Sequence, residues 1–355
     1  MSLVSTKLNW IKKIERIRGP QISRYHFLRL DKNEKIDIFK KKFFLKVIKK
    51  INSNHLTAYP EVENLYKLIS NNNKINIENL VLTSGSDQAI KHCFELFVKK
   101  NSKIITLNPT FAMVDIYSKL FQAKQIKIGY NKKLEINQTK LNFAIKKNIS
   151  LIIIANPNSP TGTILNLNQL KQIILKASKL NVPVLIDEAY YGFSKISCIS
   201  LIKKFKNLIV TRTFSKSFGL AGLRVGYIAA NKKIADLLYR FKPMYEVNSL
   251  ALLFAEEAFK NKIDKKYSEE TNSGKKLIIK TLEKLKIHYF DTYANFIHID
   301  FKKNKKTALE YFKKNKILVK GGPGVNGTEN YLRITLGPKK YMKKVISIIK
   351  KTNLS

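Results

Sequence analysis

Between residues 75 and 230 the chain alternates short, nearly unbroken apolar runs with longer amphipathic segments. The apolar runs that have the length and β-branched content of buried strands are 79–83, 103–107, 151–155, 183–187, 208–212 and 224–229. Helices are predicted for the intervening segments 86–99, 110–122 and 166–180. Near-continuous apolar strands separated by helices are typical of parallel sheets that are covered on both faces. The pattern therefore predicts an α/β domain with a mostly parallel sheet.

Polar residues cluster just beyond the ends of five of these predicted strands. The clusters are Ser84–Asp87, Asn108–Thr110, Asn156–Asn158, Asp187–Glu188 and Thr213–Lys216. In an open parallel sheet the ligand crevice lies outside the carboxyl ends of the strands. We therefore expect one site that is assembled from all five clusters.

The pattern changes at about residue 231. Two long helices, 231–262 with a break near Pro243 and 268–286, are followed by short strands at 296–300, 317–319 and 331–336 and a closing helix at 338–351. This part predicts a smaller α+β domain. We expect residues 1–45 to form an N-terminal arm and part of the small domain, 46–245 the large domain, and 246–355 the small C-terminal domain.

The chain of 355 residues carries a formal net charge of +42, which raises the question of a nucleic-acid partner. The lysines are spread in pairs from end to end, without the basic tail, zinc-finger spacing or aromatic-interleaved patch of nucleic-acid modules. We therefore attribute the charge to solvated faces and do not expect nucleic acid to be a partner. No stretch is apolar enough to predict a membrane helix, and the N-terminus is not typical of a signal peptide.

The chain has two cysteines, Cys93 and Cys198, which are too few for a disulfide framework and lack metal-site spacing. We expect a soluble cytoplasmic protein without a metal. Arginine is rare, with eight of the 67 basic residues. In a chain so rich in lysine, an arginine suggests that a planar, bidentate group is needed. Arg224 and Arg333 lie in glycine-bearing, strand-like contexts and are candidate ligand contacts.

Lys216 follows a predicted strand within T-F-S-K-S-F-G, where it is a candidate covalent amine. Pyridoxal phosphate is the common cofactor for such a lysine, and it needs an acid at its ring nitrogen and donors at its phenolic oxygen. Asp187 is a candidate for the acid, and Asn156 and Tyr190 are candidates for the donors.

The same cofactor needs a nest of donors for its phosphate. A predicted helix begins at Gly85-Ser86-Asp87, where free backbone N–H groups and the helix dipole attract an anion. Thr213, Ser215 and Arg224 are placed to complete the nest, the arginine through a forked contact.

Six motifs occur in the order and at the spacing of the class I/II aminotransferases. They are S-G-S-D-Q-A-I, N-P-T-F, A-N-P-N-S-P-T-G, D-E-A-Y-Y-G-F, T-F-S-K-S-F-G-L-A-G-L-R-V-G-Y and N-Y-L-R-I-T-L-G. Together with L-D-K-N-E, T-A-Y-P-E and V-N-S-L-A, they make the chain resemble the histidinol-phosphate aminotransferase branch over nearly its whole length.

The resemblance implies a fold-type I enzyme with pyridoxal 5'-phosphate on Lys216, a seven-stranded sheet in the large domain, and a homodimer with shared active sites. Asp187 and Tyr190 would serve catalysis beside Lys216, and Asn156 would contact both cofactor and substrate. Phe111 would stack on the cofactor ring, and Tyr59 would reach the phosphate of the cofactor in the neighbouring subunit. Arg333 would bind the substrate.

The chain departs from the branch at K-I-L-V-K, where Lys320 stands at the position of an arginine that helps to hold the substrate phosphate. A lysine binds phosphate as a point charge without the bidentate geometry. The resemblance implies that glutamate is the amino donor and that a small, phosphorylated keto compound is the acceptor. Two alternatives stay open: a phospho-amino-acid decarboxylase similar to threonine-phosphate decarboxylases, and a basic nucleic-acid-binding protein without catalysis.

Overall fold

A computed structural model describes residues 10–15 and 23–353, so part of the expected N-terminal arm (1–45) lies outside the described residues. The helices are α1 (Lys41–Ile48), α2 (Asn54–Thr57), α3 (Glu63–Asn73), α4 (Gly85–Phe97), α5 (Ala112–Leu120), α6 (Gln138–Ala144), α7 (Leu167–Lys179), α8 (Lys232–Tyr239), α9 (Ser249–Lys260), α10 (Ile263–Lys284), α11 (Lys305–Lys314) and α12 (Lys339–Asn353). The strands are β1 (Leu28–Arg29), β2 (Leu80–Thr83), β3 (Lys103–Asn108), β4 (Lys124–Gly129), β5 (Ile149–Ala155), β6 (Val184–Asp187), β7 (Leu208–Thr213), β8 (Gly226–Ala230), β9 (Tyr289–Phe290), β10 (Phe296–Asp300), β11 (Ile317–Leu318), β12 (Lys320–Gly321) and β13 (Tyr331–Thr335).

The large sheet has seven strands in the order β2-β8-β7-β6-β5-β3-β4. The pairs from β7 through β6, β5 and β3 to β4 are all parallel. Strand β8 runs antiparallel to both of its neighbours, β2 and β7. The predicted mostly parallel sheet is confirmed, and its six predicted strands are present. The edge strand β4 was not predicted.

Alternate residues of the central strands enter two different cores, one on each face of the sheet. In β5, Ile152 and Ile154 pack in one hydrophobic core, while Leu151 and Ile153 pack in the other. Helix α7 covers the first of these faces, and it begins with a capping box between Asn166 and Gln169. Burial of both faces explains why these strands are apolar at nearly every position.

A smaller antiparallel sheet with the order β12-β13-β10-β9 packs with α10, α11 and α12 around a third core. Leu30 and Ile36 from the N-terminal segment belong to this core. The predicted helix 231–262 consists of two helices, α8 and α9, and α9 packs in a core of the large sheet through Ala251 and Leu252. We therefore propose that the boundary between the domains lies between α9 and α10 rather than at residue 245. Among residues 10–15 and 23–353, no helix combines the length and apolarity that crossing a membrane requires.

Candidate active site

A cavity of about 910 Å³ opens at the carboxyl ends of β5, β6 and β7, where the polar clusters were expected to meet. A volume of this size suits a cofactor together with a small substrate. The predicted site residues that line it are Ser86, Asp87, Phe111, Asp187, Tyr190, Thr213, Ser215, Lys216, Arg224, Lys320 and Arg333. Gly85 adjoins this lining, whereas Asn156 and Tyr59 do not belong to it.

Lys216 is half-buried and follows β7. Its Nζ donates a hydrogen bond of 3.0 Å to the carbonyl of Lys32 and lies 5.7 Å from the centre of the Tyr190 ring. Tyr190 is buried, and its hydroxyl accepts a 2.8 Å hydrogen bond from Asn33 Nδ2. The amine and the phenol therefore face the same cavity, close to a segment from the start of the chain.

Asp187 ends β6 and is 4 % exposed. Its Oδ1 accepts a hydrogen bond of 2.8 Å from the Thr211 hydroxyl on the neighbouring strand. Burial raises the pKa of Asp187 to about 7, and the charges of Glu188 and Asp87 act in the same direction. A buried carboxylate whose charged neighbours are carboxylates is well suited to a cationic partner.

Arg224 and Gly85 form the opposite end of the polar site. A Cβ atom at Gly85 would lie 2.6 Å from Arg224 Nη2, and Gly85 has φ of +77°. The glycine therefore permits the guanidinium to lie against the first residue of α4. Arg224 Nη1 donates to Ser215 Oγ at 3.1 Å, and Ser215 Oγ also accepts from Thr213 Oγ1 at 2.9 Å. The guanidinium thus joins these hydroxyls to the start of α4, whose first N–H groups have no partner within the helix, and this is a site suited to a phosphate.

Ser86 and Asp87 lie in the first turn of α4, and Phe111 precedes the first turn of α5. The Asp87 carboxylate accepts a 2.7 Å hydrogen bond from the Tyr117 hydroxyl. Because a carboxylate repels an anion, Asp87 can favour a phosphate only through its backbone N–H. Phe111 is half-buried, and it packs beside the core on the α4 side while it lines the cavity.

Contrary to our expectation, Asn156 does not line the large cavity. Its Oδ1 accepts from the backbone N–H of Leu165 at 2.7 Å, and its Nδ2 donates to the carbonyl of Leu165 at 3.2 Å. Leu165 thus bonds Oδ1 and one of the two N–H groups of Nδ2, and Asn156 lies along a separate, smaller cavity of about 310 Å³. Ala155, Pro157 and Ser159 from the same segment line the large cavity instead.

Tyr59 is 74 % exposed and lies outside the large cavity. Its ring stacks on Tyr245 with the ring centres 4.1 Å apart. Within one chain, Tyr59 therefore does not reach the phosphate site.

Arg333 lies at the small-sheet side of the cavity and is 7 % exposed. Its Nη2 donates to the carbonyl of Asp31 at 2.9 Å, while its buried Nε has no hydrogen-bond partner among the described residues. Burial lowers the pKa of Arg333. Lys320 on β12 lies directly opposite Arg333 on β13 in the antiparallel register. Lys305, at the start of α11, also lines the cavity. Three cationic residues therefore line the same cavity.

Sequence reasoning missed several residues of this site. Backbone or side-chain atoms of Asp31, Lys32 and Asn33 contact Arg333, Lys216 and Tyr190. The motif L-D-K-N-E contained that signal, because it belonged to the resemblance, but no contact role was assigned to it. Lys305 and Ser159 also line the cavity. Lys305 carried no signal, since it is one lysine among many.

Comparisons with known proteins agree with this geometry. The model of the family "Aminotransferase class I and II" matches residues 53–349. The histidinol-phosphate aminotransferase of Brachyspira hyodysenteriae is 33% identical over 355 residues, covering 94% of each chain. That of Caldanaerobacter subterraneus subsp. tengcongensis is 32% identical over 290 residues, covering 81% of this chain and 82% of the relative.

A solved structure shares the fold. Histidinol-phosphate aminotransferase from Sinorhizobium meliloti, in complex with pyridoxal-5'-phosphate, superposes with a TM-score of 0.85 at 18% identity, covering 99% of this chain and 98% of that chain. The extent and the identity of the sequence matches decide the family. The chain belongs to the class I and II aminotransferases, within their histidinol-phosphate aminotransferase branch, and is an enzyme that uses pyridoxal phosphate.

Proposed function

We propose that the enzyme transfers an amino group between glutamate and a small phosphorylated ketone, with imidazole-acetol phosphate as the first candidate acceptor. The observation that carries the proposal is a single cavity that joins Lys216 and Asp187 to the cations Arg333, Lys320 and Lys305. The names of the curated relatives support the same substrate class. A decarboxylase has less support, because these relatives are named as aminotransferases.

The residues of the cavity fit pyridoxal phosphate. The buried Asp187, with its raised pKa, provides the acid that a protonated ring nitrogen needs. Because Gly85 has no side chain, the Arg224 guanidinium lies against the start of α4, where one anion can contact both the arginine and the backbone N–H groups. Both features demand partners of opposite charge, which the ring nitrogen and the phosphate supply.

We assign the cofactor's contacts as follows. Lys216 Nζ would bind it covalently, Asp187 would contact the ring nitrogen, and Tyr190 would donate to the phenolic oxygen. Phe111 would cover the ring face. The residues that would hold the phosphate are Gly85, Ser86, Asp87 through its N–H, Thr213, Ser215 and Arg224. Asn156 is left out of this assignment because it lines the smaller cavity and not the large one.

The bound cofactor supplies an electron sink for the carbon that bears the amino group. The substrate's amino group would displace the Lys216 Nζ amine from the cofactor, and the freed amine would then move the proton from that carbon to the carbon next to the cofactor ring, because Lys216 lines the cavity. The Lys32 carbonyl accepts from the same Nζ and orients it. Tyr190 is oriented in turn by the hydrogen bond from Asn33.

The distal phosphate of the substrate binds near Lys320 and Lys305. Both residues line the cavity together with Gly321, Gly322 and Gly324. Point charges hold a phosphate through charge-assisted hydrogen bonds, with less directional control than an arginine fork. Arg333, whose Nε is unpaired among the described residues, is available for a second anionic or polar group of the substrate.

We further propose a cytoplasmic homodimer in which Tyr59 reaches the cofactor phosphate of the partner subunit. Large apolar side chains around Tyr59 are exposed in the single chain, among them Leu56 at 73 % and Met244 at 79 %. Exposed clusters of this kind mark interaction surfaces. Sedimentation velocity of the purified enzyme tests the assembly, and a monomer at micromolar concentration would contradict it.

The test of the reaction is an absorption titration of the cofactor-loaded enzyme with glutamate. We expect the absorbance of the lysine-bound cofactor to be replaced by that of pyridoxamine phosphate, and imidazole-acetol phosphate to reverse the change. Lys216→Ala is expected to abolish both changes, whereas Lys303→Ala, at an exposed lysine, is expected to retain them. Release of CO2 from phosphothreonine without any keto acid would contradict the proposal and establish the decarboxylase alternative.

A further inference from the structure

A buried histidine lies behind the phosphate end of the site. His92 is on α4, about two turns after Gly85, and its side chain is 1% exposed. Its Nδ1 lies 2.7 Å from Glu95 Oε2, and its Nε2 lies 3.2 Å from Glu246 Oε2. The imidazole is therefore held between two carboxylates.

Glu246 connects this histidine to the start of α4. Its side chain is 5% exposed, and its Oε1 accepts a 2.7 Å hydrogen bond from the backbone N–H of Ser84. Ser84 is the residue immediately before α4, whose first turn we assign to the cofactor phosphate. One carboxylate thus joins His92 to the backbone that begins the phosphate site.

A buried carboxylate in this position opposes the binding of a phosphate dianion, unless a cation compensates it. Burial lowers the pKa of His92, but the hydrogen bonds to Glu246 and Glu95 outweigh it and raise the pKa above its ordinary value. The charged imidazolium is therefore the form that the site favours.

Two other cations lie near this pair of carboxylates. Lys242 lies near enough to Glu246 for the carboxylate to affect its pKa, but its Nζ donates to the carbonyls of Pro243 and Met244. Lys91 pairs with Glu95 at 3.0 Å. Among the residues that the structure describes, His92 is the cation that contacts Glu246 directly.

We infer that His92 and Glu246 are a positioning pair for the cofactor phosphate. Glu246 holds the backbone at Ser84 in the conformation that begins the phosphate site, and His92 neutralises the charge of Glu246 so that the phosphate is not repelled. The inference rests on the proposed placement of the phosphate at Gly85, Ser86 and Asp87.

The test compares the affinity of four proteins for pyridoxal phosphate and for pyridoxal, which lacks the phosphate. The proteins are the wild type, His92→Gln, Glu246→Gln and the double variant. Dissociation constants come from the absorbance of the lysine-bound chromophore, after circular dichroism has shown that each protein is folded.

We expect His92→Gln to weaken the binding of pyridoxal phosphate about tenfold, because Glu246 is then uncompensated. The double variant is expected to recover most of this loss, since the glutamine amide still accepts from Ser84 but carries no charge. Pyridoxal is expected to bind all four proteins alike. Glu246→Gln alone is expected to bind pyridoxal phosphate at least as tightly as the wild type, and this arm decides the matter if His92→Gln does not fold.

Three results would overturn the inference. The histidine would serve packing alone if His92→Gln weakened the binding of both ligands equally. The same would hold if the double variant bound pyridoxal phosphate as weakly as His92→Gln does. Weaker binding of pyridoxal phosphate by Glu246→Gln would mean that the carboxylate charge favours the phosphate. A wild type that does not prefer pyridoxal phosphate to pyridoxal would instead refute the phosphate placement itself.

Discussion

Replacing Asp187 by asparagine should change how the stability of the cofactor-free protein depends on pH. Burial raises the pKa of this carboxyl from an ordinary value of 3.8 to about 7 in the folded chain. Because the folded pKa is the higher one, the unfolded state ionises first as the pH rises. The native state therefore loses stability between about pH 4 and about pH 7, and the loss is complete above that window.

The size of the loss follows from the difference between the two pKa values. A difference of about three units corresponds to a loss on the order of 4 kcal/mol in the free energy of unfolding. Asparagine has nearly the same shape, keeps an acceptor for the Thr211 hydroxyl and does not ionise. The advantage of Asp187→Asn over the wild type should therefore grow from about pH 4 to about pH 7.

Urea unfolding of the cofactor-free proteins across that range measures the effect. Asp236→Asn is a matched control, because Asp236 is 54% exposed and its replacement should give no such trend. Saturation with pyridoxal phosphate should stabilise the wild type more at high pH than at low pH, because the ring nitrogen compensates Asp187. Parallel pH curves for the wild type and Asp187→Asn would refute the reasoning.

Three further changes give separate expectations. Gly85→Ala should weaken pyridoxal phosphate binding by about tenfold or more, because its Cβ would lie 2.6 Å from Arg224 Nη2; spectroscopic titration measures this. Arg212→Met should lower the free energy of unfolding by about 3–5 kcal/mol in chemical denaturation, because it leaves the buried Glu188 without the cation that now lies 2.9 Å away. Replacing both residues by apolar ones should cost less stability than Arg212→Met alone. Lys320→Ala should raise the KM for a phosphorylated acceptor by about tenfold while leaving that for glutamate nearly unchanged, as steady-state kinetics would show.

Much of the fold could be predicted because its central strands are buried on both faces. Their near-continuous apolar runs are distinct from the amphipathic helices around them. Strand β4, K-Q-I-K-I-G, was missed because it lies at the sheet edge, where only Ile128 is fully buried and lysines alternate with the apolar residues. An edge strand needs fewer apolar residues, so its sequence resembles that of a loop.

The site was predictable where a motif carried it and not where side-chain direction decided it. Lys216, Asp187 and Arg224 lie in the one cavity that their motifs implied. Asn156 belongs to an equally specific motif, yet its amide faces Leu165. Which residue after a strand faces the cavity depends on the path of the loop, and a single sequence does not show that path. His92 lay outside every motif, because its environment is formed by Glu246, which is far away in the sequence.

The reversed direction of β8 affects how this site forms and how it can be transferred to another protein. The antiparallel pairing of β7 and β8 ends at Thr213 and Gly226. Residues 214–225 therefore form one hairpin loop, which contains both Lys216 and Arg224. The groups assigned to the two ends of the cofactor are thereby spaced by a closed local turn and not by the packing of distant elements. Contacts close in sequence form with little loss of chain entropy. The β7–β8 hairpin is thus a local unit that carries two of the assigned cofactor contacts, and a designer could graft it onto another sheet as half of a cofactor site.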